Sequence, residues 1–145
     1  MLRPLLRREQ LGHELARLDP GNGRRQELPR LLDDIAATGG FSAVVLTDDA
    51  GLPLAASSGT HDPEHYAGLS SLSLSLMDRM RRDTGPTPVA VLVHNTANEQ
   101  MLSRLFAVSS QRLLLTAVSP GADLSPTALD PALHKLEGVL TPARS

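Results

Sequence analysis

The residues from Gly39 to Gly59, GGFSAVVLTDDAGLPLAASSG, constrain the fold of this chain more than any other stretch. They hold a helix exit at Gly39-Gly40, a β-branched apolar run from Phe41 to Leu46, turn chemistry in Thr47-Asp48-Asp49-Ala50-Gly51, and a second apolar run from Leu52 to Ala56. Two short apolar runs around a polar turn form a β-hairpin. Pro53 has no N–H to donate, so the second run belongs at the edge of a sheet. A small antiparallel sheet is the expected framework.

The flanking segments supply the other elements. Leu28, Leu31, Leu32, Ile35 and Ala36 repeat at helical spacing on one face, with Pro29 in the first turn and Gly39-Gly40 closing the helix. Asp62-Pro63-Glu64 starts a second helix, with Asp62 as N-cap and Pro63 at the first helical position, running to about Asp83. Gly85-Pro86-Thr87-Pro88 forces a turn, and Val89 to Val93 is a strand. Gln100 to Val108 and Gln111 to Val118 read as two more strands joined at Ser109-Ser110, a poor sequence for a tight turn. Ser125-Pro126 and Asp130-Pro131 compete to start a last helix with Leu129, Leu133, Leu136 and Leu140 on its apolar face; Pro131 is expected in its first turn and Pro142 ends it.

A chain of 145 residues is one domain and needs no metal or disulfide staple. It has no cysteine, which excludes thiol catalysis and thiolate metal sites. A formal charge of −2, no Trp, one Tyr and two Phe argue against nucleic acid as a partner. No apolar run is long enough for a membrane span or a signal peptide, so the expected location is the cytoplasm. The predominance of Arg over Lys points to a GC-rich bacterial genome. Residues 1–23 read as a weakly helical or disordered basic arm: Leu11, Leu15 and Leu18 share a face that Leu2, Leu5 and Leu6 do not. Residues 24–141 form the domain and 142–145 a tail. The arm could also serve as a partner-binding or membrane-surface segment.

On the second helix, Tyr66, Leu69, Leu72, Ser73, Leu76, Met77 and Met80 form one broad stripe, assigned to the sheet. Leu74 falls off that stripe with Ala67, Ser71, Asp78 and Arg81, on a flank an isolated domain would leave wet. A strand as apolar as Val89-Ala90-Val91-Leu92-Val93 at the sheet edge is an aggregation hazard unless something covers it. No active site is evident. His61, Asp62, Glu64 and His65 form the richest polar cluster, but Asp62 and Glu64 have capping roles; Asp48-Asp49 read as solvated turn acids, and His94-Asn95-Thr96 as a strand exit. The chain lacks the GxxxxGK[ST] phosphate loop, so no nucleotide cofactor is expected, and no metal.

Leu31-Leu32-Asp33-Asp34, AVVLTDDAGLPLAAS at Ala43 to Ser57, the helix containing HYAGLSSLSLSLMDRM and the strand at Val89 to Val93 together resemble the roadblock, or dynein light chain, family, in particular the bacterial members that accompany small Ras-like GTPases. The likeness covers about residues 26–140. It implies an α+β fold: a profilin-like three-layer α/β/α sandwich with a five-stranded antiparallel sheet in the order 2-1-5-4-3. It also implies a homodimer joined along the third strand through Val89, Val91 and Val93, with Leu74 at the helix pair, and a GTPase partner contacting the flank of Ala67, Ser71, Asp78 and Arg81. The function implied is non-catalytic regulation or scaffolding of the GTPase. The alternative is a small signalling adaptor or ligand-sensing module, with a sensor kinase among its partners; an enzyme built on His61 and His65 is a third reading.

Overall fold

The computed structural model describes residues 27–121 and 123–141; the arm at 1–23, the start of the domain at 24–26 and the tail at 142–145 lie outside the described residues. The elements are α1 (Glu27–Gly39), β1 (Ala43–Asp48), β2 (Pro53–Ala56), α2 (Pro63–Thr84), β3 (Ala90–His94), β4 (Gln100–Val108), β5 (Gln111–Ser119) and α3 (Asp130–Leu140). All strand pairs are antiparallel, and the sheet order is β2-β1-β5-β4-β3, as expected. No described helix is long and apolar enough to cross a membrane.

The two faces of the sheet are held very differently. Leu113, Leu115 and Ala117 of β5 pack with Leu28, Leu32 and Ile35 of α1 and with Leu133, Leu136 and Leu140 of α3, in a cluster of seventeen buried residues. Each fully buried leucine there contributes about 1.5–3 kcal/mol. On the opposite face the buried apolar cluster is Leu74 and Met77 of α2 against Leu114. The α1/α3 side is therefore the stability core, and α2 has a thin apolar hold on the sheet.

Local chemistry fixes the connections. Gly40 at φ 68° ends α1 in the left-handed region, and the Phe41 N–H donates to the Ala36 carbonyl at 2.9 Å, a Schellman closure. In the β1–β2 turn, Asp48 is buried rather than solvated. Its Oδ1 accepts from the Ala50 and Leu52 N–H groups, both at 2.9 Å, so backbone donors replace water around the carboxylate. Asp49 stays exposed, 3.8 Å from Arg112 Nε. Pro53 sits opposite Thr47 on the edge strand β2, beside a register shift between Leu46 and Thr47. Asp62 caps α2 by accepting from the His65 N–H, and α3 begins at Asp130 with Pro131 in its first turn, which resolves the two competing start signals.

The β4–β5 hairpin closes on two residues, Ser109 at φ 51° and Ser110 at φ 67°, between the pair Val108 and Gln111. Positive φ at both positions is the mark of a type I′ turn, whose twist matches the strands and whose preferred sequence is Asn-Gly. The serines occupy a conformation that disfavours a Cβ. The double variant S109N/S110G is expected to raise Tm by about 2–4 °C in thermal unfolding followed by circular dichroism; no change or a fall would argue against this turn.

Candidate functional site

Helix α2 is turned on the sheet relative to the sequence expectation. The residues it buries are Ala67, Ser70, Ser73, Leu74 and Met77, while Leu72, Leu76 and Met80 are 68%, 49% and 45% exposed. Of the stripe assigned to the sheet, only Ser73 and Met77 are buried; Ala67 and Leu74, placed on the wet flank, face the interior.

The reason lies in hydroxyl groups beneath the helix. Ser70 Oγ donates to the Tyr66 carbonyl at 2.8 Å and also contacts Thr116 Oγ1 on β5; Ser103 Oγ on β4 lies 2.8 Å from Thr116 Oγ1. A carbonyl only accepts, so the Ser70 proton is committed to Tyr66, Thr116 must donate to Ser70, and Ser103 must donate to Thr116. All three residues are at least 95% buried, where an unmatched hydroxyl costs about 1–3 kcal/mol. The relay is satisfied only when the Ala67-Ser70-Ser73-Leu74 side lies on the sheet. At 3.6 residues per turn Leu72 lies about 160° round the axis from Leu74, so Leu72 must point outward.

The outward face of α2 continues onto β3, the unpaired edge of the sheet. Val89 and Val93 are 48% and 47% exposed and Leu92 is 40% exposed. Among the described residues, every exposed large apolar side chain lies on α2, on β3 or on Val89 just before it. Between helix and edge runs a groove of about 440 Å³ with Leu69, Leu72, Leu76, Val91 and Val93 in its walls and His65, Asn95 and Glu99 at its polar side. The Asn95 side chain holds that side together by accepting from the Ala97 and Glu99 N–H groups and donating to Glu99 Oε1.

The sequence-predicted residues separate accordingly. Val89, Val91 and Val93 share the α2-facing side of the edge, Val91 being half-buried against the Leu74-Met77-Leu114 cluster. Leu74 and Ala67 are interior and unavailable to a partner without α2 leaving the sheet. Ser71 is half-buried, close to where a Cβ on Gly51 would stand. Asp78 accepts from Arg112 Nη1 at 3.1 Å, and Arg81 is exposed. Sequence reasoning missed Leu72, Leu76 and Met80 as surface groups. The available signal was the polar residues at alternating strand positions, Ser103 and Thr116, which match serines on α2 better than leucines.

The other candidate residues make local contacts. His65 lies edge-on to Tyr66 at 5.3 Å, its N–H capped by Asp62. His94 Nε2 pairs with Asn98 Oδ1 at 2.9 Å in the β3–β4 loop. Among the described residues no group of three or more His, Cys, Asp or Glu is placed to hold a metal.

No protein-family model matches the sequence, and a sequence search of curated proteins finds no match either. Solved structures do match the fold. MglB of Myxococcus xanthus is similar with a TM-score of 0.62 at 18% identity, over 81% of this chain and 86% of that one. The gliding protein MglB of Thermus thermophilus gives 0.67 at 13% identity, over 83% and 93%. A Roadblock/LC7 domain from Streptomyces avermitilis gives 0.53 at 20% identity, over 74% and 92%. The chain has the roadblock fold.

Two buried threonines test the relay with opposite signs. Thr116→Val orphans the Ser103 proton and is expected to cost about 1–3 kcal/mol in urea unfolding. Thr47 Oγ1 is buried without a hydrogen-bond partner among the described residues, so Thr47→Val, nearly the same shape, is expected to stabilise by about 1 kcal/mol. Equal effects of the same sign would contradict the assignment.

Proposed function

We propose that this chain is a non-catalytic homodimeric regulator or scaffold of a small Ras-like GTPase in the bacterial cytoplasm. The observation that carries the reading is the confinement of exposed apolar side chains to α2 and the β3 edge. Contiguous apolar patches on monomeric proteins are small, and larger ones mark interaction sites. A second copy docked through the same patch would cover Val89, Leu92 and Val93 along the strand and Leu72 and Leu76 on the helix. A solved structure of the same fold, MglB in a tetrameric arrangement, supports self-association as a habit of the fold.

The GTPase rests on the sequence resemblance. With no phosphate loop in the chain, nucleotide chemistry belongs to the partner. In this reading the regulator acts by position: paired α2 helices hold the GTPase so that its switch segments favour one nucleotide state. Arg81, with Asp78 and Ser71 behind it, is the polar part of α2 offered to that contact.

The groove favours one second reading, a ligand-sensing adaptor that signals to a sensor kinase, because it is large enough for a small amphipathic molecule. Homodimerisation and ligand entry would then compete for the same walls.

Light scattering on the full chain is expected to give twice the 15.5 kDa chain mass. L72Q/L76Q should give a monomer with unchanged circular dichroism, since both side chains are exposed, whereas Leu74→Ala should lose about 2–5 kcal/mol of folding stability. A monomeric wild type at micromolar concentration would sink the dimer. Affinity capture with GDP and with a non-hydrolysable GTP analogue should enrich a small GTPase in one arm; a kinase or receptor in both would favour the adaptor.

A further inference from the structure

Asp34, from the Leu31-Leu32-Asp33-Asp34 run, has no part in the contacts or the interface described above. Its neighbour Asp33 accepts from the Ser58 N–H at 2.6 Å and so ties α1 to the loop after β2. Asp34 itself makes no ion pair or hydrogen bond among the described residues. Neither do Thr38, one turn further along α1, and Lys135 on α3. The exposed Arg79 and Arg112, by contrast, are each paired with a carboxylate. Lys135 is the only lysine in a chain with thirteen arginines.

These three uncommitted groups surround one opening. Between the C-terminal half of α1 and the N-terminal half of α3 lies a cavity of about 120 Å³, lined by Asp34 and Thr38 from one helix and Lys135 from the other. Its floor is apolar, since Ile35, Leu129 and Ala132 are all at least nine-tenths buried. The Phe41 ring adds a wall, and Gly39 makes room for it: a Cβ at Gly39 would collide with the ring. A carboxylate and an ammonium therefore stand apart at the mouth of an apolar cavity, paired neither with each other nor with any other described residue.

We propose that this cavity binds a free α-amino acid with a small apolar side chain. Asp34 takes the ammonium, with Thr38 Oγ1 as a second acceptor, and Lys135 takes the carboxylate. The side chain enters the space between Ile35, Phe41, Leu129 and Ala132. Size narrows the class: sites for drug-sized ligands and cofactors run to about 300–1,000 Å³, so this cavity is too small for a nucleotide and admits only a few carbon atoms. Charge narrows it further. A simple anion drawn to Lys135 is opposed by Asp34, and a simple cation drawn to Asp34 is opposed by Lys135, so a molecule with both charges is selected by repulsion as well as attraction. A compact ammonium on a flexible stem also follows a small carboxylate more readily than a planar guanidinium does.

The cavity lies on the face of the sheet that α1 and α3 cover, opposite α2, so it is separate from the groove beside β3 and from the proposed dimer surface. Occupancy bridges α1 and α3 without competing for either.

A single lysine makes the test direct. Reductive methylation of the full chain with ¹³C-formaldehyde keeps the charge and labels Lys135 and the terminal amine. Titration with L-valine is expected to shift the Lys135 signal saturably at about millimolar concentration and to leave the terminal amine signal in place. Isobutylamine and isovalerate, which keep the branched carbons and one charge each, should bind about fivefold or more weaker. Asp34→Asn should lose about fivefold or more in affinity for L-valine, and so should Lys135→Gln, read from the amide shifts of residues 34–41 and 128–135. Both side chains are exposed, so circular dichroism and light scattering of the two variants should match wild type. No saturable shift up to about 50 mM L-valine overturns the proposal, as does equal binding of the single-charge analogues or unchanged affinity in either variant. A monomeric wild type would sink the dimer reading and leave this site standing.

Discussion

The Thr116 hydroxyl stands between Ser103 on the neighbouring strand and Ser70 on α2, and with the Tyr66 carbonyl as final acceptor this relay has one direction of donation. A leucine-rich helix could roll on a leucine-rich sheet at small cost, because apolar contact has no direction. Hydrogen bonds between buried hydroxyls do have direction, and rolling α2 would break them where water cannot replace them. The relay therefore adds direction to the small apolar contact of α2, where Leu74 and Met77 pack on Leu114 with Val91 and Leu105 beside them. The outward face of α2 and the groove beside β3 follow from it.

Much of this architecture was legible in the sequence. Pro53 put β2 at an edge, the Asp62-Pro63 start and the paired glycines bounded helices, and the resemblance ordered the strands. The rotation of α2 was not, because its two stripes are both plausible as an inner face when only apolarity is weighed. Leu69, Leu72, Leu76 and Met80 have more apolar area than Ala67, Ser70, Ser73 and Leu74, and a rule that buries the larger stripe chooses wrongly when the receiving sheet face carries Ser103 and Thr116. Asp48 was misjudged for a similar reason: its neighbours in sequence are polar, but the Ala50 and Leu52 amides that solvate it are revealed only by the turn geometry. The β3 edge was legible as an apolar strand, yet which residues hold free backbone groups depends on pairing parity, which no single strand encodes.

The division of labour between the two faces has an energetic logic. The α1/α3 side holds the larger buried cluster and so the larger share of the apolar stabilisation of the sheet. That leaves α2 free to carry on its outer side leucines that would otherwise be needed inside. Arg112 adds a polar tie at the far end, bonding Asp78 of α2 and approaching Asp49 in the β1–β2 turn. Such an exposed network contributes little to stability, but it holds the helix and the hairpin turn in one frame.

The two edges of the sheet are chemically unequal. β3 offers an uninterrupted row of donors and acceptors, while β2 is four residues long, begins with a proline that cannot donate and adjoins a register shift. A sheet open at both sides can recruit strands without end, as in fibrils. In the proposed homodimer the added strand is another β3, and the outer boundaries of the joined sheet would be two β2 strands that each begin with a proline. Growth by that route would stop at a pair, and the proline that marks the hairpin in the sequence would then serve as a chain terminator for assembly.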